Sequence, residues 1–418
     1  MRRSLTLPRG YRLLNSRRLI GVDMSLAFAL LLAWFALQAS LLLAWRTRLL
    51  AFWREPVFTA PILIVESDDW GAGPASQADA LNRLADCLSG QLDAAGRPAV
   101  MTLALVLALP KPGMVGHVTL ADAEQDAVLA AIQAGSARGV FALQLHGLFH
   151  FWPEALVAAA VTRPEVAAWL AAPELTEKLP SHLQSRWTDA RELPSRPLPV
   201  HSVERAVAEE VALYVELFGQ VPEVVVPPTF LWTGEVEAAW AAAGVGTIIT
   251  PGQRLTRRDA DGHPAGRDRD MRNGEQGAGG VRYLVRDDYF EPIFGHRPER
   301  ALAALASKSA LGRPCLLETH RWNFLAATGG DPAAAESALV EMYELARRDF
   351  PSLRFSSCAE LTRAMRENDP VWIEQSTRRR FTIWLRRAAM LPRFGKAARL
   401  TGLLSFLELF TSSVPRHS

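Results

Sequence analysis

The sequence predicts an α/β protein built on a distorted parallel β/α barrel of seven or eight strands. An N-terminal transmembrane or interfacial helix precedes the barrel, and a basic amphipathic tail follows it. Three observations carry this expectation. Short continuous apolar runs alternate with helical stretches from about residue 57 to 368. Polar, titratable and aromatic residues stand just past the ends of several of these runs. Near the start of the chain, residues 24–45 contain no charged side chain.

The first segment, residues 1–56, is a basic lead and an apolar helix. At about 1.5 Å per residue the run 24–45 is long enough to cross a hydrocarbon core of roughly 30 Å. Arg2, Arg3, Arg9, Arg12, Arg17 and Arg18 precede it, and Arg46, Arg48 and Arg54 follow. The surplus on the leading side favours that end in the cytoplasm and the bulk of the chain on the outer side. A helix lying in the interface or packed in a core is the alternative to one that spans.

Residues 57–368 form the second segment. Apolar runs at 61–66, 100–107, 140–145, 223–226, 247–250, 281–286, 315–319 and 353–356 read as buried strands. Stretches at 78–88, 120–134, 203–218, 235–243, 297–309, 333–348 and 359–366 read as helices. Continuous apolar strands alternating with helices indicate a parallel sheet covered on both faces. That many units fit a barrel, with an open doubly wound sheet as the alternative. Residues 151–200, rich in Pro and Trp, interrupt the pattern as an insertion. Residues 253–280, rich in Gly and charge, predict a mobile loop. In the tail, 369–418, arginines alternate with aromatic and aliphatic residues in a pattern suited to an anionic membrane surface.

The 418 residues carry 46 basic and 44 acidic side chains, a net charge of +2. This balance gives no case for nucleic acid, which favours a strongly basic face. Cys87, Cys315 and Cys358 are too few and too scattered for a disulfide framework or a thiolate zinc cluster.

A parallel β/α barrel places its active site at the C-terminal ends of its strands. The residues just past the apolar runs are therefore the informative ones. They include Ser67-Asp68-Asp69-Trp70-Gly71, His146 and His150, Pro227-Pro228 with Trp232, Arg286, and His320-Arg321-Trp322. His146 and His150, at i and i+4, share one face if their turn is helical. One carboxylate and two imidazoles make a three-ligand site with room for water, as in catalytic zinc centres. Trp70, Trp232 and Trp322 are candidates for a platform against a sugar ring. His117, His182, His201, His263, His296 and His417 lie off the strand ends or in loops and read as background.

Ser67-Asp68-Asp69-Trp70-Gly71, His146-x-x-x-His150, Pro227-Pro228 and Glu318-Thr319-His320 together resemble the ordered motifs of the polysaccharide deacetylases, carbohydrate esterase family four. The resemblance spans about residues 57–368. It implies a distorted seven-stranded barrel and a divalent metal, often zinc. It further implies Asp69, His146 and His150 as metal ligands, Asp68 as general base and His320 as general acid. The sequence departs from the family at Val226, where an arginine orienting the base is usual; Arg286 or Arg321 could supply that guanidinium from another strand. Glu66-Ser67 replaces the usual Thr-Phe lead, and Gly147 stands where Ser or Thr is common. The activity implied is metal-dependent removal of N-acetyl groups from a polysaccharide or membrane-linked glycan. Hydrolysis of another amide, or a catalytically silent sugar-binding barrel serving as a membrane scaffold, are the alternatives.

Overall fold

The computed structural model describes residues 24–114, 116–173 and 175–411. Arg2, Arg3, Arg9, Arg12, Arg17 and Arg18, which set the expected membrane orientation, and His417 lie outside the described residues. The chain divides into two compact units. One spans Trp53–Ile383; the other joins the residues up to Phe52 with those from Trp384 onward.

The larger unit is the barrel. Its strands are β1 (Ile62–Gly71), β2 (Met101–Val106), β3 (Phe141–Gly147), β4 (Val224–Val225), β5 (Thr247–Thr250), β6 (Arg282–Val285), β7 (Asp288–Tyr289) and β8 (Cys315–His320). They pair in parallel in the order β6-β5-β4-β3-β2-β1-β8-β7. A short β9 (Arg354–Phe355) pairs with the start of β1.

The two edges of this path are successive stretches of one segment. Only Arg286 and Asp287 separate β6, paired through Val285 with Thr250, from β7, paired through Asp288 with Leu317. Three peptide units reach no further than about 11 Å. The sheet must therefore curl until its edges meet. This is the expected barrel, and the open doubly wound alternative is set aside.

Strand side chains alternate with period two, and the barrel uses both faces. Ile62, Ile64, Ala104, Val224, Val226, Ile249, Leu284 and Leu316 gather with Cys358 and Leu361 in one buried cluster, the barrel interior. The opposite parity, including Leu63, Val65, Leu103, Leu105, Ile248 and Leu317, belongs to a second cluster with the surrounding helices. The inward parity continues along the strands to Glu66 and Asp68, Gln144 and His146, and Glu318 and His320. The interior thus turns from apolar to ionisable toward the C-terminal rim.

The helices of the chain are α1 (Met24–Ala44), α2 (Arg46–Arg54), α3 (Ser76–Ser89), α4 (Asp126–Ala137), α5 (Pro153–Ala160), α6 (Pro164–Ala171), α7 (Val200–Phe218), α8 (Gly234–Ala242), α9 (Pro298–Ala310), α10 (Pro332–Asp349), α11 (Cys358–Glu367), α12 (Thr377–Ala389), α13 (Pro392–Leu400) and α14 (Leu403–Glu408). In α3, Leu81, Leu84, Ala85 and Leu88 repeat at helical spacing and are buried against the sheet. The insertion carries α5 and α6.

Residues 253–280 are not a bare loop, contrary to expectation. They form two small antiparallel ribbons, Gln253–Arg254 with Arg269–Asp270 and Arg257–Arg258 with Pro264–Ala265. The buried Arg258 guanidinium donates to Ser185 Oγ at 2.9 and 3.0 Å, Gly262 O at 3.1 Å and Ser181 O at 2.9 Å. Glycine and charge content signalled a solvated segment. One buried arginine, with its donors satisfied across the insertion, fastens it instead.

In the smaller unit, α1 is the one helix among the described residues long and apolar enough to cross a membrane.

Candidate metal centre

The first ligand is presented by a break in β1. The β1–β2 register shifts between Ser67 and Trp70, and Asp69 takes φ 74°, unusual for a residue with a side chain. Such backbone strain costs of order 1–3 kcal/mol and concentrates at functional sites. Two contacts hold it. The Trp70 indole donates to Ser67 Oγ at 2.8 Å across the bulge. Gly71, at φ 124°, lies so close to β2 that a Cβ there would stand 2.1 Å from Val106 O.

His146 ends β3 pointing inward, and His150 returns to it from the turn beyond. That turn is not helical: the i, i+4 pair is a strand end plus an irregular loop. Gly147 makes the return possible with φ 126°, a backbone conformation that favours glycine. Asp69 Oδ1 lies 3.4 Å from His146 Nε2 and 3.3 Å from His150 Nε2. The ligand atoms of all three residues fall within 4.8 Å of one another, and all three residues are buried.

Three details fit a cation at this point. Asp69 Oδ1 is buried without a hydrogen-bond partner. His146 Nδ1 lies 2.8 Å from Val226 O, so it carries the proton and leaves the Nε2 lone pair facing Asp69. Burial, helped by the neighbouring His146, pulls His150 down to about 4, so its imidazole is neutral and able to ligate. Burial alone would raise Asp69, but His150 and His146 outweigh it and hold the carboxylate well below its usual range. Val226 thus supplies the carbonyl that fixes a ligand tautomer.

Asp68, next in the chain, faces a different group. Arg286 Nη1 donates to its Oδ1 at 2.8 Å and Nη2 to its Oδ2 at 2.6 Å, a bidentate pair. Burial would raise Asp68; Arg286, together with His146 and His320, outweighs it and lowers the carboxyl. The same guanidinium donates to Glu66 Oε2 at 2.9 Å and lies 3.1 Å from Glu318 Oε2. One buried arginine therefore stands among three carboxylates. Burial pushes the Glu66 and Glu318 carboxyls up despite Arg286, whereas Asp68 is held low. Gln144 Nε2 and Cys358 Sγ complete the shell of Glu66 at 2.8 and 3.0 Å.

His320 forms the other wall. Its Nδ1 lies 2.6 Å from Glu291 Oε1, its Nε2 3.6 Å from Glu318 Oε1, and its ring stacks on Trp322 at 3.8 Å. Burial opposes its charge, but the Glu291 hydrogen bond and the Glu318 charge prevail and raise it to about 9. Glu291 is itself held by the Trp322 indole at 3.1 Å and by the Asn323 amide.

The structure departs from the sequence reading at several site residues. Arg286, not Arg321, holds Asp68; Arg321 gives its guanidinium to Glu177 of the insertion at 3.0 and 3.1 Å. Trp70 and Trp232 are fully buried, with their indoles turned to Ser67 and Glu237, so neither offers a ring face to a sugar. Trp322 alone of the three sits at the rim, partly exposed beside His320. The sequence assigns no role to Glu66, Glu318 or Glu291. A signal existed for the first two: each stands two residues before Asp68 or His320, on the same inward face.

No known family's sequence profile and no curated protein matches this sequence. Solved structures give a likeness. The chain is similar to carbohydrate esterases of family four. A Mycobacterium smegmatis protein described as a polysaccharide deacetylase shares 13% identity over 75% of this chain and 96% of its own, with a TM-score of 0.40. A family 4 carbohydrate esterase from Streptomyces lividans, solved with acetate, shares 11% over 72% and 93%, with a TM-score of 0.34. A family 4 pseudoenzyme from Bacillus anthracis shares 11% over 73% and 66%, with a TM-score of 0.35.

Proposed function

We propose that the chain is a metal-dependent hydrolase that removes N-acetyl groups from a glycan, and that its barrel is held at a membrane by α1. The observation that carries this reading is one juxtaposition. An orphaned carboxylate oxygen meets two imidazole nitrogens, and the adjoining residue in the chain is an arginine-held carboxylate. A pure binding site has no need of an ionised base beside its cation.

Asp69, His146 and His150 would hold a divalent cation, with zinc suited to one oxygen and two imidazole donors. When bound, such a cation polarises a carbonyl and acidifies water. The chain's own residues do the rest. Asp68, kept ionised and oriented by Arg286, accepts the proton of the attacking water. His320, kept protonated by Glu291, donates a proton to the departing amine. Assistance of this kind is typically worth about 10²–10⁴-fold. Trp322 stacks on His320, fixes its ring plane and borders the rim where a sugar would sit. The products are acetate and a free amino sugar. The arginine surplus ahead of α1 supports a barrel on the outer side, and reporter fusions to the barrel, active only in the cytoplasm, would reverse that placement.

The test is acetate release from acetylated amino-sugar oligomers by the metal-loaded full chain, with Asp68→Asn as control. Hydrolysis lost in the control supports the reading. A loaded chain that binds the oligomers but releases nothing leaves the silent sugar-binding scaffold instead.

A further inference from the structure

The smaller unit is strongly basic in a chain that is nearly neutral. Its described residues carry seven Arg or Lys side chains and one acidic group, Glu408. The two ends of the sequence build it together. The Trp34 indole, midway along α1, donates to Thr401 O at 2.7 Å, and Thr401 Oγ1 lies 3.0 Å from Gln38 Oε1. Phe406 of α14 packs edge-on against Trp34, with ring centroids 5.4 Å apart. Phe394 of α13 lies by Trp45, 6.0 Å away. From these contacts α13 runs antiparallel to α1, from its polar end to its middle. Gly395 permits the tight turn into α13, since a Cβ there would stand 2.1 Å from Ala389 O.

The unit also carries a broad exposed apolar surface. Leu26, Phe28, Leu30, Leu31, Leu32, Phe35, Leu37 and Leu43 of α1 are exposed, as are Leu400, Leu409 and Phe410. At the polar end of α1, where the apolar run gives way to Arg46 and Arg48, a cleft of about 550 Å³ opens between the two ends of the chain. Trp45, Arg48, Pro392 and Arg393 are among the residues lining it. Neither arginine makes an ion pair among the described residues. A bilayer that takes up the leucine surface places this cleft at headgroup level, where Trp and Arg are at home.

We infer that the cleft between the α1–α2 junction and the start of α13 binds the phosphate headgroup of an anionic phospholipid, with the acyl chains lying along the exposed leucines of α1. The two arginines supply the charge and Trp45 the amphipathic edge. The C-terminal helices are thus part of the anchor, not a free tail. The site is independent of the hydrolase reading, because every residue in it belongs to the smaller unit.

The test is native mass spectrometry of the full chain released from neutral detergent, titrated with phosphatidylglycerol, with phosphatidylcholine and with free glycerol phosphate. One phosphatidylglycerol should be retained per chain, at least tenfold more tightly than phosphatidylcholine. Arg48→Ala with Arg393→Ala should weaken retention about thirty-fold, some fivefold per arginine at an anionic surface. Lys396→Ala with Arg399→Ala, exposed on the same helix but outside the cleft, should change it less than threefold. Equal retention of phosphatidylcholine, an unaffected Arg48/Arg393 variant, or a matching loss in the Lys396/Arg399 variant would overturn the site. Glycerol phosphate binding as tightly as the lipid would overturn the lipid assignment.

Discussion

Replacing Arg286 by Met removes the guanidinium that joins Glu66, Asp68 and Glu318 while keeping a similar apolar stem. Leaving buried charge uncompensated is strongly destabilising, by about 3–5 kcal/mol for a broken buried pair. Here protons can relieve part of that, since burial already pushes Glu66 and Glu318 up. Asp68 is the group whose direction depends on the guanidinium. Its carboxyl is low because Arg286, with His146 and His320, outweighs burial; without Arg286 the balance shifts toward burial and the carboxyl rises. The folded variant then binds more protons than the unfolded chain, so its stability falls as pH increases. In the wild type the depressed Asp68 acts in the opposite sense, and its contribution is lost as pH drops through the folded value. Urea denaturation between pH 5 and 8 should therefore show the stability gap between Arg286→Met and wild type widening with pH. The acid limb of the pH–rate profile should move upward by more than a unit. At pH 7 the variant should lose much of the ~10²–10⁴-fold due to acid–base assistance. Arg321→Met, which frees Glu177 instead, should leave the acid limb in place. An Arg286→Met protein with wild-type stability at pH 8 and an unmoved acid limb would refute this electrostatic account of Asp68.

Other outcomes follow from the same geometry. Activity should fall as pH rises through about 9, where His320 loses its proton, and Glu291→Gln should bring that alkaline limb down toward the ordinary imidazole range; a limb that stays put would separate Glu291 from His320. Gly71→Ala should abolish soluble expression or cost several kcal/mol in denaturation, because its Cβ would meet Val106 O at 2.1 Å at a φ of 124°. Trp322→Ala should raise KM for acetylated oligomers several-fold through the lost ring face and also lower kcat through a looser His320, whereas Trp232→Phe should alter stability alone.

The sequence made the barrel legible because its strands are apolar on both faces and its helices are periodic. The strand-end rule then gathered Asp68, Asp69, His146, His150, Arg286 and His320 onto one rim. What it could not supply was the third dimension of the polar interior. Which arginine reaches Asp68 depends on β6 and β7 being one segment split at Arg286, and no local pattern states that. Trp70 and Trp232 looked like rim aromatics because they follow strands; the bulge at Asp69 and the Glu237 contact turn them inward. Glycine and charge made 253–280 look mobile, while Arg258 buries itself across the insertion. Glu291 was hidden because it acts from a loop, two residues past β7. The basic C-terminal stretch suggested a membrane surface, but its packing on α1, nearly the whole chain away, lies beyond any window of sequence.

The most direct measurement is X-ray absorption at the metal edge of the zinc-loaded full chain, paired with metal content. The account expects one zinc per chain with two imidazole nitrogens and oxygen donors at about 2.0–2.2 Å, and loss of stoichiometric zinc in His146→Ala. Folded protein that takes up no zinc, or a coordination shell without imidazole, would contradict it.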